Sequence, residues 1–362
     1  MRNFSVCLKA LLVRRLFYFT VFAVFLAAAF SSLTSCDNRE RLYLYNWTYY
    51  TPPSVIEKFE EEFGVRVIYD EFPSNEEMFA KIQAGGSGYD VVFPSAHFVT
   101  IMNESNMLER LDKSKLSNLG NIDPVMIEKM ASYDPGMQFS VPYYWGAAGI
   151  IVNTARVPQF ERSWSILSRT DLAGRMTMLD DMREVFGSAL VTLGFSVNTH
   201  SPVEIELARN HINNVWRPNL LRFDAEAFGL GYATEDFWVV HGYVEQVFAD
   251  IADNPRLMAN TVFFIPPEGG PSYVDSMVIL NDAPNKELAY KFIDFIHRPD
   301  IYAEFVDTFG LPSTVNVPAR RLQRVRPIYE AEDIYHTEMV IDVGAALEFY
   351  QNAWFNSIRI GN

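Results

Sequence analysis

Three acids stand where the sequence breaks its own local pattern. Asp181 and Glu184 sit three apart in Asp180-Asp-Met-Arg-Glu184, and Asp275 interrupts the run Tyr273-Val-Asp-Ser276. At a helix start, an i, i+3 pair shares one face, which suits joint binding of a ligand. The same spacing also caps a helix and complements its dipole. An acid inside an otherwise apolar strand either faces a cleft or bonds backbone at the strand's end. The aromatic counterpart is Tyr45-Asn-Trp-Thr-Tyr-Tyr50. Rings crowded onto the loop after a strand, with polar groups between them, can grip a ligand by its faces. They can equally form a small core under the loop, so both readings of Trp47 and Tyr50 stay open.

Catalytic signatures are missing. The sequence has no H-E-x-x-H, no G-x-S-x-G and no phosphate-binding loop. Gly85-Gly-Ser-Gly-Tyr89 fails the nucleophile elbow in its last position, and no Lys-Ser/Thr follows its glycines. The six histidines show no metal spacing; His200 and His211 are too far apart for one turn of a helix. Nothing assembles a nucleophile, a base and an orienting group. This weakens an enzyme reading without excluding one, and no metal site is read from the spacing.

The first 35 residues carry Arg2, Lys9, Arg14 and Arg15 and no acid, followed by a mostly apolar run from Leu16 to Phe30. That run is short for a spanning helix and right for the core of a signal peptide. Leu33-Thr-Ser-Cys36 follows, a bacterial lipoprotein cleavage box, so Cys36 is expected to be acylated and to begin the processed chain. The other cysteine, Cys7, lies in the leader, so no disulfide is expected. Removing the leader's four cations moves the formal charge from −15 to −19. So acidic a chain is an improbable partner for nucleic acid and favours cationic ligands. The remaining length, about 325 residues, suggests two domains.

The elements that must position the acids and rings follow in order. Leu42 and Leu44 mark a first strand. Thr51 to Gly64 reads as a helix with Pro52-Pro53 at its start and Val55, Ile56, Phe59 and Phe63 on its apolar face. Val65 to Tyr69 is a strand, Ser74-Asn-Glu-Glu77 a capping box opening a helix, and Tyr89 to Pro94 a strand, with Ser95 and His97 on the loop after it. This β-α-β-α-β order gives a parallel sheet covered by helices. Val141 to Asn153 reads as two extended pieces joined by a bend, a crossing point between domains. The spacing predicts a short helix over 164–172, a strand over 175–179, a helix from Asp180 to Leu193, and another from Ser201 to about Trp216. Leu230 to Val240 is expected to be a strand, with a helix to Asp250. Strands at 262–265 and 273–280 follow, the latter returning to the first domain. Helices at 286–297, 300–309 and 342–357 complete the reading.

These segments carry a resemblance. Tyr45-Asn-Trp-Thr-x-Tyr50, Ser74-Asn-Glu, Tyr89-Asp-Val-Val-x-Pro-Ser95, Asp112-Lys-Ser-Lys-Leu116, Pro142-Tyr-x-Trp-Gly146, Asp180-Asp-x-Arg-Glu-Val-Phe186, Pro267-Glu-Gly-Gly270 and Asp342-Val-Gly-Ala-Ala346, in this order and spacing, resemble the polyamine-binding proteins of bacterial ABC importers. The resemblance runs from about Leu42 to near the C-terminus. It implies a two-lobed α/β periplasmic-binding fold with two sheets, two crossovers and the ligand in the cleft, and it implies no catalysis and no cofactor. The lobes would comprise residues 41–147 with 274–319, and 148–273 with 320–362, after a signal peptide over 1–35. It implies a monomer in the periplasm that captures putrescine or spermidine and passes it to the permease's transmembrane subunits, and the cleavage box adds a lipid anchor to the membrane on Cys36. Aromatic walls would fall on Trp47, Tyr50 and Tyr273, ammonium-binding acids on Asp181, Glu184 and Asp275, and cleft-lining groups on Ser95 and His97.

The sequence departs from that family at several positions. A tryptophan expected after a Leu-Gly pair is read at Thr234, following Leu230-Gly231, with Trp238 out of register. Leu311 stands where an aromatic is expected and Val340 where a polar group is, while Tyr273 replaces a larger ring and His97 a tyrosine. Which polyamine fits is therefore open. Within the same fold, ferric-ion capture by Tyr49-Tyr50 and Tyr143-Tyr144, or a sugar stacked on Trp47, are the alternatives.

Overall fold

A computed structural model describes residues 39–359 except Tyr49, Gly86 and Ser87. The expected signal peptide, Cys36 and Tyr49 lie outside the described residues. The chain runs β1 (Arg41–Trp47), α1 (Pro53–Phe63), β2 (Arg66–Phe72), α2 (Asn75–Gln83), β3 (Val91–Val92), α3 (Ala96–Glu104), α4 (Pro124–Met130), β4 (Ser140–Gly146) and β5 (Gly149–Asn153). It continues with β6 (Met176–Met178), α5 (Met182–Thr192), α6 (Pro202–His211), β7 (Leu220–Phe223), α7 (Phe228–Ala233), β8 (Val239–Gly242), α8 (Val244–Asp250), α9 (Pro255–Ala259), β9 (Thr261–Phe264) and β10 (Pro271–Ile279). α10 (Lys286–Ile296), α11 (Pro299–Phe309), β11 (Glu338–Met339) and α12 (Leu347–Ala353) close it.

Two sheets organise these elements. The first has the order β11-β10-β3-β1-β2, with β4 beside β10; the second has the order β7-β6-β8-β5-β9. β1, β2 and β3 are parallel, as are β6, β7 and β8. The expected β-α-β-α-β order is thus met, and each parallel run needs helices on its faces. On α1, Val55 and Phe59 are fully buried and Ile56 and Phe63 partly so. Ser74 caps α2 by accepting the Glu77 N–H at 3.2 Å.

β4 and β5 are buried along their whole length, and the chain passes from one sheet to the other between Gly146 and Gly149. The return passes from β9 to β10 through the turn at Pro266–Gly269. The expected division places 320–362 in the second lobe. In the structure, 320–339 lie against the first sheet: the Arg320 guanidinium and the Tyr335 hydroxyl both reach Asp123, the Tyr329 and Tyr144 hydroxyls meet at 3.1 Å, and β11 pairs with β10. From Val343 onward the chain joins the apolar cluster of the second sheet, with Tyr350 and Trp354 buried there. The chain therefore passes between the two halves three times.

Four elements differ from the sequence reading, the first being the helix expected over 164–172, which is two tight turns, Trp164–Ser168 and Thr170–Leu172. Phe228–Ala233 is a helix, and the strand is confined to Val239–Gly242. A Cβ at Gly229 would run into Asp250 and one at Gly231 into the Phe237 ring, so these glycines let α7 dock closely on its neighbours. The helix after Ser201 ends at His211 and continues to Trp216 as a wider turn, before Pro218. The last helix is likewise divided, into a tight turn at Gly344–Ala346, α12, and a wide turn at Trp354–Ile358.

Asp90 is fully buried and joins three elements. Its Oδ2 accepts the Tyr43 N–H of β1 at 2.8 Å, and its Oδ1 the Asn285 N–H before α10 at 2.6 Å. Truncation strands both donors, and each unmet partner costs about 1–3 kcal/mol. Asp90→Ala is expected to lower unfolding free energy by about 2–3 kcal/mol in urea titration; an unchanged midpoint would remove this junction from the account of the fold.

Candidate functional site

The carboxyl ends of four parallel strands converge on one cleft. β1 ends at Trp47, β3 leads through Phe93-Pro94 to Ser95, β6 leads to Asp180-Asp181, and β8 leads to Tyr243. Loops at strand carboxyl ends are where open α/β sheets bind ligands. The expected acids meet here. The Tyr243 phenol lies within electrostatic reach of Glu184, Asp181, Glu245 and Asp275, which come from both halves of the molecule.

Asp275 reaches the cleft through an irregularity in its strand. β10 pairs antiparallel with β4, with Asp275 opposite Tyr144, and the register shifts between Asp275 and Ser276. A bulge of this kind re-aims a side chain. The buried carboxylate accepts the Ser95 hydroxyl at 2.7 Å, and Asn75 holds Ser95 through bonds of 3.0 and 3.1 Å. Ser95 precedes α3 but makes no side-chain cap, because its hydroxyl is committed to Asp275. The Trp47 indole N–H donates to the Phe93 carbonyl at 2.9 Å. The Tyr50 hydroxyl is buried and makes no close hydrogen bond, yet it and Trp47 both favour the ionised Asp275. Burial outweighs these contacts and pushes the Asp275 pKa up to about 7.

Asp181 and Glu184 come from the start of α5. The capping reading of Asp181 is correct: its Oδ1 accepts the N–H groups of Arg183 at 2.8 Å and Glu184 at 3.0 Å. Asp181 is exposed, yet the neighbouring protein desolvates its carboxylate enough to raise its pKa against those two bonds. Glu184 is buried and pushed well above the ordinary carboxylate range, first by burial and then by the charge of Asp181; Arg183 opposes both. Arg183 does not pair with either acid in a salt bridge. Its guanidinium donates to the carbonyls of Ile341 and Val197 at 3.2 Å each, and to Asn198 at 2.8 Å.

Rings complete the walls. Tyr273 meets Tyr243 edge to face at 5.7 Å, and Tyr50 meets Tyr143 at 5.3 Å. A Cβ at residue 146 would land on the Tyr273 ring, so only glycine leaves that ring its place. Trp47 stacks at a tilt on Phe72, 4.7 Å away. His97 borders the same space; burial and Arg183 together hold its pKa down to about 4, against Asp342.

Thr234 does not join them. It follows α7, bonds the carbonyls of Leu230 and Gly231 and the Asp236 carboxylate, and lies before the amino end of β8, opposite Tyr243. Trp238 lies at that same end, covered by Arg156 and Arg175. Sequence reasoning missed Tyr243, whose signal was the glycine-aromatic pair Gly242-Tyr243 at the carboxyl end of a β-branched run. Leu311 is buried in the core, and Val340 donates its N–H to the Ser272 carbonyl at 2.8 Å. Of the phenols of the iron alternative, Tyr143 bonds Thr51 and the Tyr50 carbonyl, and Tyr144 bonds Tyr329.

The raised pKa of Asp275 sets a pH dependence. Between the ordinary 3.8 and about 7 the native state keeps a proton that the unfolded chain has released. Stability from this group is therefore full below pH 4 and lost as pH rises through 7. Asp275→Asn removes that loss while keeping the oxygen that accepts from Ser95. The unliganded variant is expected to melt a few degrees above the parent at pH 8, with the gap closing toward pH 4. Equal melting temperatures at pH 8 would contradict the buried, protonated state.

The pattern of known bacterial extracellular solute-binding proteins matches residues 54–321. The spermidine/putrescine-binding periplasmic protein of Escherichia coli K12 is 38% identical over 338 residues, covering 91% of this chain and 94% of its own. The putrescine-binding periplasmic protein SpuD of Pseudomonas aeruginosa is 31% identical, covering 81% and 83%. Among solved structures, the Tp0655 (TpPotD) lipoprotein of Treponema pallidum superposes with a TM-score of 0.84 at 48% identity, covering 88% of this chain and 99% of that one. The fold is the two-lobed periplasmic-binding architecture. The chain belongs to the bacterial extracellular solute-binding proteins, in the family of the spermidine/putrescine-binding periplasmic proteins.

Proposed function

We propose that this protein captures a polyamine, putrescine or spermidine, in the cleft between its halves and delivers it to the permease of an ABC importer. The observation that carries the reading is three crowded carboxylates, Asp181, Glu184 and Asp275, with raised pKa values and no salt-bridged cation among them. A cation entering the cleft supplies the missing charge and restores their ionised forms. A polyamine carries ammonium groups at intervals along a methylene chain. Trp47, Tyr50, Tyr243 and Tyr273 offer ring faces for the methylenes and for cation–π contacts of about 0.5–2 kcal/mol each. Ser95 and His97 border the bound chain, and Thr234 has no part in it. The names of the relatives support the same ligand class. No chemical step is needed: binding closes the halves by bending at the crossings, and release at the permease reopens them. The leader over 1–35 and the box ending at Cys36 support a lipid anchor on the periplasmic side of the membrane.

Thermal unfolding tests the reading directly. A ligand at 100 times its dissociation constant stabilises by about 2.7 kcal/mol. Putrescine or spermidine, but not ferric ion or sugars, is expected to raise the midpoint; stabilisation by a sugar alone would sink the polyamine reading. Losing one desolvated charge partner costs about 2–5 kcal/mol. In calorimetry Asp275→Asn is therefore expected to weaken polyamine binding at least tenfold. Trp47→Ala is expected to weaken it as well, and unchanged affinity would leave Trp47 a core residue only.

A further inference from the structure

Glu184 differs from the other two cleft acids in what holds it. Asp275 has the Ser95 hydroxyl, and Asp181 has two helix N–H groups. The Oε2 of Glu184 is buried and accepts no hydrogen bond. Facing it is His241 on β8, fully buried, with neither ring nitrogen bonded. Its Nε2 lies 3.8 Å from that Oε2, and its ring meets Trp164 edge to face at 5.3 Å. Buried polar atoms nearly always have partners. Here a possible donor and an acceptor, both without one, face each other about 1 Å beyond hydrogen-bond distance.

We propose that His241 is the positioning residue of Glu184: its Nε2–H donates to Oε2 once a ligand ammonium occupies the cleft, fixing the carboxylate toward a cation that His241 never touches. The proposal rests on the polyamine reading. An ionised, buried carboxylate needs a donor on each oxygen. The ligand supplies one from the cleft side, and the imidazole supplies the other from below. The titratable and charged groups around Glu184 are Asp181 and Arg183 on its own helix and His241 and Tyr243 from β8. Burial holds the His241 pKa down to about 3, so the ring stays neutral and acts as a donor throughout the working range. Glu184 must ionise to hold an ammonium, so affinity rises with pH until it has lost its proton. Removing a donor to the ionised form moves that rise to higher pH.

Calorimetry with putrescine and spermidine from pH 6 to 9, on the parent, His241→Phe and His241→Gln, tests this, with unliganded melting as the control for folding. Phe keeps the ring against Trp164 and has no N–H; Gln restores a donor near the Nε2 position. His241→Phe is expected to bind at least tenfold more weakly at pH 7, with its affinity rise displaced upward. His241→Gln is expected to stay within threefold of the parent and keep the parent's profile. Equal affinity for parent and Phe variant overturns the proposal, as does equal weakening of both variants with an unshifted profile. A parent that binds neither amine overturns the functional reading and this proposal with it; a binding parent with an indifferent Phe variant overturns only the proposal.

Discussion

Negative charge held partly out of water, with no cation hydrogen-bonded to it, is the condition on which this cleft depends. Glu184 and Asp275 are buried and Asp181 is exposed, and desolvation is the largest influence on all three. The guanidinium that could neutralise them, Arg183, spends its hydrogen bonds on Ile341, Val197 and Asn198. Its charge is felt in the cleft, but it offers the acids no side-chain hydrogen bond. A neutral ligand would leave the carboxylates protonated and gain little from them. A cation recovers the Coulomb energy that burial withheld. The chain's formal charge of −15 adds a long-range field of the same preference.

The scaffold meets this condition by breaking local rules where the ligand is expected. β10 slips its register beside Asp275, Ser95 gives up its helix cap to hold that acid, and β4 ends in a glycine that leaves room for the Tyr273 ring. Each departure has a cost for the local element. Together they put acids and rings on one space, as expected where a fold yields to a site.

Much of this was legible from the sequence, and the remainder was hidden for identifiable reasons. Strand and helix order followed from periodicity and from punctuation by Pro52-Pro53, Gly64 and Ser74. The crossing at Gly146–Gly149 followed from a long apolar run that bends. Asp181 could be read as a cap and as a site residue, and it is both a cap and a cleft group. The aim of Asp275 could not be read, because a register slip leaves no mark in one strand's own residues. Tyr243 was missed and Thr234 chosen because the expected aromatic was counted from the Leu230-Gly231 pair, whereas Gly229 and Gly231 belong to a helix. Their role is steric, letting α7 approach Asp250 and Phe237, and such contacts are invisible without the fold. The attachment of 320–339 to the first sheet rests on Asp123, Tyr144 and β10, all distant in sequence.

That attachment bears on how the halves can move. β11 is paired to β10, the strand that carries Asp275, while Asn198 bonds both the Glu338 side chain and the Met339 carbonyl at the end of β11. Asn198 also accepts from Arg183, and Arg183 bonds Ile341 in the third crossing. The helix that presents Asp181 and Glu184 is therefore tied through its first turn to the segment by which the chain passes between halves. Bending at the crossings would carry those two acids as one block relative to Asp275. The three passages of chain are the places where such a hinge bend would act. The spacing between the two groups of carboxylates is thus set by the degree of closure, and a ligand whose ammonium groups match that spacing is held at both ends.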